Sequence, residues 1–310
     1  LSDRDVGKFN KSLRDFKGKK YLNTMIYETA KNYKPDLILL GHSYDIETET
    51  IEKIKDYSKN TVISQWFEDH LADTGPDYSS NRKKLLKYDE FISSNFITTH
   101  PSTLDFLKKK KNFHYLPIPV DKNIEKLKIY ENKNQICDVF FSMSHGVNRG
   151  KLKRDKEDER HNFITNLITQ CPNIIFDIYG YKNREPVWAE DFYKVIVNSK
   201  MALNLTRGKP LKYLTSNRIA SLIGNGLLTF IDRRTKLDNF FNKNEVVFYS
   251  SLQDLAEKIN QFKANDKERI KIAKNGRKKY FDLFECQKVS DYIISKSFGR
   301  KPSEKIKWVD

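Results

Sequence analysis

The sequence predicts an α/β protein of two domains, each built on a parallel sheet, and three observations support this fold class. The chain has 310 residues, too many for one ordinary core and a natural length for two α/β domains. Apolar runs of strand length, such as Leu37–Leu40 and Val139–Phe141, alternate with segments of helical periodicity. This alternation is typical of parallel strands joined by crossover helices. The prolines in Leu116–Pro119 then interrupt the pattern, because each removes a strand donor.

The first domain is assigned to residues 1–120, and the Lys- and Asn-rich stretch 121–135 to a linker. Strands are predicted over Leu37–Leu40, Thr61–Gln65, Glu90–Ser94 and Phe113–Leu116. Helices are predicted over Glu47–Tyr57 and Ser102–Lys110, and residues 66–70 are predicted to be a loop. Leu1–Tyr33 shows no convincing first strand, so this domain is expected to lack one.

The second domain is assigned to residues 136–284, and the C-terminal helix and tail, 285–310, are expected to pack back on the first domain. Its strands are predicted over Ile136–Met143, Ile174–Tyr179, Met201–Leu205, Leu227–Ile231 and Val246–Tyr249. Its helices are predicted over Lys156–Thr169, Ala189–Val197, Ser216–Ile223, Ser251–Phe262, Asp266–Phe281 and Glu285–Ser297. The glycines of Gly224-Asn225-Gly226 supply the left-handed residue that ends a helix.

Composition excludes several classes of protein. No run approaches the roughly 20 apolar residues that a membrane-spanning helix needs. The three cysteines and six histidines have no metal-ligand spacing, so a reduced cytoplasmic protein without structural zinc is expected. The formal net charge of +16 has several possible explanations. It keeps the protein soluble, or it serves binding to an anionic membrane, a polyanionic acceptor or nucleic acid. Nucleic acid is the least favoured partner, because aromatic residues do not alternate with the basic clusters, and it stays open.

Three segments of the second half resemble one known family. They are Ser199–Arg207, with a strand that ends in Leu-Asn, then Ser216–Gly226, and then Asn244–Tyr249. In this order they are similar to the donor domain of CgeB-like, group-1-type GT-B glycosyltransferases, over about Val139–Tyr292. The resemblance implies two Rossmann-like domains with parallel sheets that face a central cleft. It also implies an enzyme that moves a sugar from a nucleotide-sugar donor.

The resemblance implies a donor site in the second domain. Strand ends and helix N-termini bind phosphates in such folds, and Arg or Lys stabilises the leaving diphosphate when no metal is used. Arg218 is the candidate for catalysis as well as donor binding. The other candidate donor-binding residues are His145, Gly146, Arg149, Tyr179, Gly180, Asn204, Arg207, Lys209, Ser216, Asn217 and Ser221. The family usually has a Glu that holds the ribose at the position of Ser221, so this chain departs from the pattern there.

On the acceptor side, His42 and Asp69 follow successive predicted strands and are the candidate general bases of an inverting enzyme. The preferred hypothesis is a metal-independent glycosyltransferase with no cofactor besides its nucleotide-sugar co-substrate. Its acceptor would be a cell-envelope glycan or lipid-linked saccharide, reached from the cytoplasm, with peripheral contact to the inner face of the cytoplasmic membrane. Two alternatives stay open: a glycosyltransferase that modifies DNA, and a catalytically inactive relative that binds sugar or nucleotide.

Overall fold

The computed structural model describes residues 18–41, 43–75, 77–143 and 158–308. These residues form two compact units. Those numbered 18–73, 77–116 and 290–308 make up the first, and those numbered 74–75 and 117–289 the second. Each unit is an α/β layer structure with its own parallel sheet, which confirms the predicted fold class.

The first unit has four parallel strands in the order β1-β2-β3-β4. The strands are β1 (Leu37–Gly41), β2 (Val62–Phe67), β3 (Ser94–Ile97) and β4 (Phe113–Tyr115). The helices are α1 (Lys19–Tyr33), α2 (Thr48–Tyr57) and α3 (Tyr78–Leu85), with short 3-10 turns at Asp89–Phe91, Pro101–Thr103 and Asp105–Leu107. Ile51 of α2 and Ile63 of β2 share one buried cluster, so the apolar side of the helix packs on the sheet.

Three predictions for this unit were wrong. Trp66 and Phe67 continue β2 instead of starting a loop, because their backbone pairs with Phe96 and Ile97. The Trp66 ring fills the space beside Gly41, where an added Cβ would lie 2.2 Å from Nε1. The predicted helix Ser102–Lys110 is two separate turns, since Leu104 is extended and buried between them. Glu90–Ser94 holds a turn instead, and the strand begins only at Ser94.

The C-terminal segment packs within the first unit. Oγ of Ser64 in β2 donates a 2.8 Å hydrogen bond to Oγ of Ser297, and the main-chain oxygen of Ser297 accepts one from Oγ of Ser93. The Tyr292 ring lies edge-on to Phe96, with 5.9 Å between centroids, and contacts the buried Trp308 in the same way. These contacts cover the two central strands, β2 and β3, of the sheet.

The second unit has five parallel strands in the order β6-β5-β7-β8-β9. They are β5 (Cys137–Ser142), β6 (Phe176–Tyr179), β7 (Ser199–Asn204), β8 (Leu228–Asp232) and β9 (Val247–Tyr249). The helices are α4 (Glu159–Gln170), α5 (Ala189–Ile196), α6 (Arg218–Gly224), α7 (Leu252–Ala264), α8 (Asp266–Phe284) and α9 (Cys286–Ser297), the last of which continues into the first unit. Short 3-10 turns lie at Ile129–Glu131, Arg233–Thr235 and Leu237–Asn239.

Apolar residues cover both faces of this second sheet. Val139 and Phe141 of β5 face one cluster with Ile164 and Leu167 of α4, while Phe140 faces the opposite cluster. Strands buried on both sides are expected in a parallel sheet and explain the continuous apolar run at 139–141. The turn after α6 is tight, because Gly226 has φ +83 and its Cα faces the Tyr130 ring.

Residues 121–135 pack on the second unit. The amide of Ile129 donates to the oxygen of Asn225, and the side chain of Asn132 donates to Val197. Ile129 is buried in the same cluster as Phe140. The polar composition that suggested a linker therefore belongs to a segment whose few apolar residues hold it against the sheet.

Candidate functional site

A cavity of about 140 Å³ with both polar and apolar walls lies at the carboxyl ends of β7, β8 and β9, beside the first turn of α4. Its walls carry Glu159, Arg160, Phe163, Asn204, Leu205, Thr206, Gly208, Lys209, Pro210, Asp232, Arg234, Thr235 and Tyr249. The carboxyl ends of parallel strands are where α/β sheets bind ligands, because loops and helix N-termini converge there. The cavity is therefore the candidate functional site of the second unit.

Asn204 supplies a polar group that the protein leaves unused. It ends β7, only 4% of its surface is exposed, and it lines the cavity. Within the described part of the chain, its Oδ1 has no hydrogen-bond partner. Leaving a buried acceptor without a hydrogen bond costs about 1–3 kcal/mol. A ligand that donates a hydrogen bond to this oxygen would remove that cost.

Arg218, the first residue of α6, holds a positive charge next to the cavity wall. Its Nη1 donates to the main-chain oxygen of Leu205 at 2.9 Å and to Oγ of Ser216 at 3.2 Å. The guanidinium carbon lies 4.9 Å from the centre of the Phe141 ring. Among the described residues, no carboxylate lies within 4 Å of this guanidinium, so its charge has no ion-pair partner there.

Burial lowers the pKa of Arg218 to about 9. The charge of Arg160 lowers that pKa further, and Asp158 opposes the effect. A guanidinium keeps its proton in proteins at neutral pH. The lowered pKa of Arg218 therefore means that burial and a neighbouring cation destabilise its charged form. A bound anion would reverse that cost.

Two arginine–aspartate pairs that the sequence did not single out border the cavity. Arg160 and Asp158 are both buried, and Nε and Nη2 of the arginine donate to the two carboxylate oxygens at 2.9 and 2.6 Å. At the end of β8, Arg234 binds Asp232 in the same two-pronged way, although its own side chain is 66% exposed. These pairs place two guanidinium groups, each bound to its own carboxylate, at the wall of the cavity.

Tyr249 closes the cavity at the end of β9. Its side chain is buried, and burial together with the charge of Asp232 raises the pKa of its hydroxyl well above the usual range. The phenol therefore stays protonated and can donate a hydrogen bond throughout the physiological pH range.

The structure brings some predicted donor residues together. Asn204 and Lys209 line the cavity, and Arg207 lies between the lining residues Thr206 and Gly208. Ser216 and Arg218 bond to each other beside Leu205, which is also part of the wall. Asn217 is exposed and does not line the cavity. The predictions at His42, His145, Gly146 and Arg149 lie outside the described residues.

Tyr179 and Gly180 lie at the end of β6, away from the lining residues of the cavity. The Arg184 guanidinium sits 3.7 Å from the centre of the Tyr179 ring and pairs with Asp177 at 2.6 Å. One face of the ring is thus already covered by a cation. Gly180 has φ +72, and its amide donates a hydrogen bond to the main-chain oxygen of Arg184. These two features define a tight turn after β6.

Ser221 faces a different group of side chains. Its hydroxyl lies near that of Tyr193 and partly offsets the rise in the pKa of this phenol, and the Tyr193 hydroxyl lies 3.4 Å from Oε1 of Glu125. Glu125 is buried, and desolvation raises the pKa of its carboxyl. Ser221 is not among the residues that line the cavity.

In the first unit, Asp69 follows β2 and is half-buried. The described residues contain no group of three or more His, Cys, Asp or Glu side chains placed to hold a metal ion. None of the helices in the described ranges has the length and hydropathy to span a bilayer.

Comparisons with known proteins agree with this architecture. The model of the family described as "Glycosyl transferase-like" matches residues 156–295, a little under half of the chain. No curated protein sequence matches the chain significantly.

Several solved structures share the fold at low sequence identity. HepE from Anabaena, in complex with UDP and glucose, is 13% identical with a TM-score of 0.62, over 90% of this chain and 81% of HepE. Sucrose-phosphate synthase from Thermosynechococcus elongatus is 8% identical with a TM-score of 0.58, over 92% of this chain and 78% of that protein. TarM from S. aureus is 10% identical with a TM-score of 0.59, over 89% of this chain and 58% of TarM. The chain therefore has the GT-B glycosyltransferase fold, two α/β units with parallel sheets, and its second unit is similar to the glycosyl transferase-like family.

Proposed function

We propose that this protein is a glycosyltransferase that binds a nucleotide-sugar donor at the cavity of its second unit and transfers the sugar to an acceptor hydroxyl. The observation that carries the proposal is Arg218, a guanidinium with no ion pair among the described residues, held beside a cavity at the carboxyl edge of the sheet. The similarity of residues 156–295 to glycosyl transferase-like proteins supports it.

The charge of the site suits a departing nucleoside diphosphate. Negative charge builds on the diphosphate as the bond to the sugar breaks, and positioned cations stabilise that charge in the transition state. Arg218 and Lys209 supply fixed positive charge, and the N-terminus of α4 adds the positive end of a helix dipole. HepE and a TarM variant have been crystallised with UDP, which makes a uridine nucleotide the first donor to test.

The acceptor side is proposed to lie in the first unit, with Asp69 or His42 as the base that accepts the hydroxyl proton. The acceptor class is proposed to be a cell-envelope glycan or lipid-linked saccharide. The structure of the TarM variant contains alpha-GlcNAc-glycerol together with UDP. Two observations support contact with an anionic membrane. The net charge is +16, and Lys108, Lys109 and Lys111 are exposed. Arg82 of α3 adds a further cation near them, because its guanidinium lies 4.5 Å from the centre of the Phe106 ring.

One observation favours a second function. Ser221 stands where a glutamate is expected from the family resemblance, and its hydroxyl lies near that of Tyr193. A relative that binds nucleotide or sugar without catalysing transfer would tolerate that change.

The two functions are separated by incubating the protein with UDP-, GDP-, ADP-, CMP- and dTDP-sugars and measuring free nucleotide, alongside a thermal-shift screen with the same nucleotides. Binding with nucleotide release supports the transferase, and binding without release supports the inactive relative. If no nucleotide raises Tm at millimolar concentration, both functions are wrong, since a ligand specific to the native state must stabilise it. Binding to anionic vesicles but not duplex DNA, with a strong salt dependence, would support the membrane-linked acceptor over DNA.

A further inference from the structure

The pair formed by Arg160 and Asp158 has an unusual position for a structural ion pair. Asp158 is the N-cap of α4, and its Oδ1 accepts from both the main-chain N and Nε of Arg160. The arginine side chain is 7% exposed and the aspartate 4%. Removing both charges from water is costly, and replacing such a pair with apolar residues is often neutral or stabilising. Fold stability alone does not account for the pair.

The electrostatic surroundings make the position of Arg160 still less favourable. A cation in the first turn of a helix opposes the helix dipole, whose positive end is at the N-terminus. Arg160 also lies close enough to Arg218 to lower the pKa of that residue. A buried arginine in the first turn of α4 and a half-buried arginine at the start of α6 therefore influence each other, a local violation of the usual rules of the kind that marks functional sites.

The free side of Arg160 faces the cavity. A guanidinium has five N–H groups, and Asp158 accepts from Nε and from Nη2. Arg160 and Asn204 line the same cavity. The unpartnered and buried Oδ1 of Asn204 is an independent sign that a ligand completes this cavity.

We propose that Arg160 is a direct ligand of the donor's diphosphate and that Asp158 is a positioning residue that fixes its guanidinium. This inference rests on the proposed function and deepens it. Asp158 offsets the charge of Arg160 in the empty site and holds the planar group in one orientation. Its remaining N–H groups then bind phosphate oxygens with little loss of side-chain entropy.

The chain contains a matched control in Arg269. This arginine is also buried in the first turn of a helix and pairs with an acid of the same turn, Asp266, at 2.7 Å. Its other nitrogens donate to the main-chain oxygen of Lys200 and to Oε1 of Gln135, so its contacts are within the protein. It does not line the cavity. Replacing it removes a buried arginine of the same kind without touching the site.

The experiment compares the full chain with four variants: R160Q, R160K, the double variant D158N/R160Q, and R269Q. The double variant replaces the ion pair by two neutral amides, so that no carboxylate is left buried alone. Affinities for UDP, UMP and uridine, or for the same three forms of whichever base the nucleotide screen selects, are measured by calorimetry, and Tm is recorded for each protein.

The inference predicts that D158N/R160Q loses about ten- to a hundredfold in affinity for UDP, the usual range for a charge-assisted contact. Affinity for uridine should change by less than about threefold, because uridine has no phosphate for the guanidinium to bind. R160K should bind UDP with intermediate affinity because it keeps the charge and loses the planar fork. R269Q should lower Tm and keep the affinity for UDP.

Two results would overturn the inference while leaving the proposed function in place. One is a double variant with wild-type affinity for UDP. The other is an equal loss for UDP and uridine, which would mean that the pair only shapes the fold. If the wild-type chain binds none of the nucleotides, the proposed function fails and the inference fails with it.

Discussion

The Nη1 atom of Arg218 donates a 2.9 Å hydrogen bond to the main-chain oxygen of Leu205, the first residue after β7. This bond ties the start of α6 to the loop that forms one wall of the cavity. The arginine therefore has two roles to separate: it holds the local backbone, and it carries a charge that no described carboxylate neutralises.

Arg218→Ala is expected to reduce turnover of a nucleotide-sugar donor by at least tenfold, because loss of a charge-assisted contact to a leaving diphosphate costs a few kcal/mol in the transition state. This variant also loses the hydrogen bonds to Leu205 and Ser216, so its Tm should fall. Arg218→Lys is the control, since it keeps the charge. Steady-state kinetics at equal folded fraction check the prediction, and unchanged turnover in a folded Arg218→Ala protein would make Arg218 structural only.

Activity is expected to survive EDTA with less than about a twofold change if protein cations stabilise the diphosphate. The reason is that Lys209, Arg218 and the N-terminus of α4 can supply the positive charge that Mg²⁺ supplies to diphosphates in other enzymes. Nucleotide release is measured before and after chelation. Loss of activity that Mg²⁺ or Mn²⁺ restores would contradict the metal-independent mechanism.

Glu125→Gln is expected to stabilise the protein at neutral pH. Burial raises the pKa of Glu125 above its ordinary value, although the amide of Asp121 and the hydroxyl of Tyr193 partly offset the effect. A raised pKa means that the folded state prefers the protonated acid, so stability is fully present below the unfolded pKa of about 4.5 and is lost as pH rises through the folded pKa.

Chemical denaturation of both proteins between pH 4 and pH 8 tests this. The stability of Glu125→Gln relative to wild type should grow as pH rises. A constant difference across that range would show that Glu125 does not titrate on unfolding as its burial implies.

His114→Phe is expected to flatten the acid limb of the stability curve. Burial, followed by the charge of Lys296, lowers the pKa of His114 to about 4 from an ordinary value of 6.5. The unfolded chain therefore takes up a proton between pH 6.5 and 4 while the folded chain does not, and stability falls as pH is lowered through that window. Phenylalanine should pack against the same Phe96 and Tyr292 rings without a proton to bind. Parallel losses of stability in both proteins would contradict this assignment.

Strand positions followed from the sequence where an apolar run was long enough to be buried on both faces. Residues 139–141 predicted β5 for that reason, whereas Asn204 was identified from the family resemblance. The prediction of a helix over 102–110 was wrong because Leu104 is extended and buried between two turns. The periodicity of the local sequence does not show this. Strand order also depends on how crossover helices pack, which a single sequence does not encode locally.

The most informative part of the candidate site was the hardest to predict. Arg160 lies in a stretch where charged residues of both signs follow one another, and nothing in that pattern distinguishes a buried arginine from a solvated one. Only the fold shows that Asp158 caps α4 and orients Arg160 toward the strand ends. For Ser221 the family pattern suggests ribose binding, which stays a prediction, and only the fold shows that its hydroxyl lies near that of Tyr193.

The central claim is that the donor nucleotide binds at the cavity of the second unit. Photo-crosslinking with an azido derivative of the nucleotide that binds best, followed by peptide mapping, tests it most directly. The account predicts that labelled peptides come from residues 117–289, that excess unlabelled nucleotide prevents labelling, and that Arg218→Ala weakens it. Specific labelling within residues 37–115 would contradict the claim.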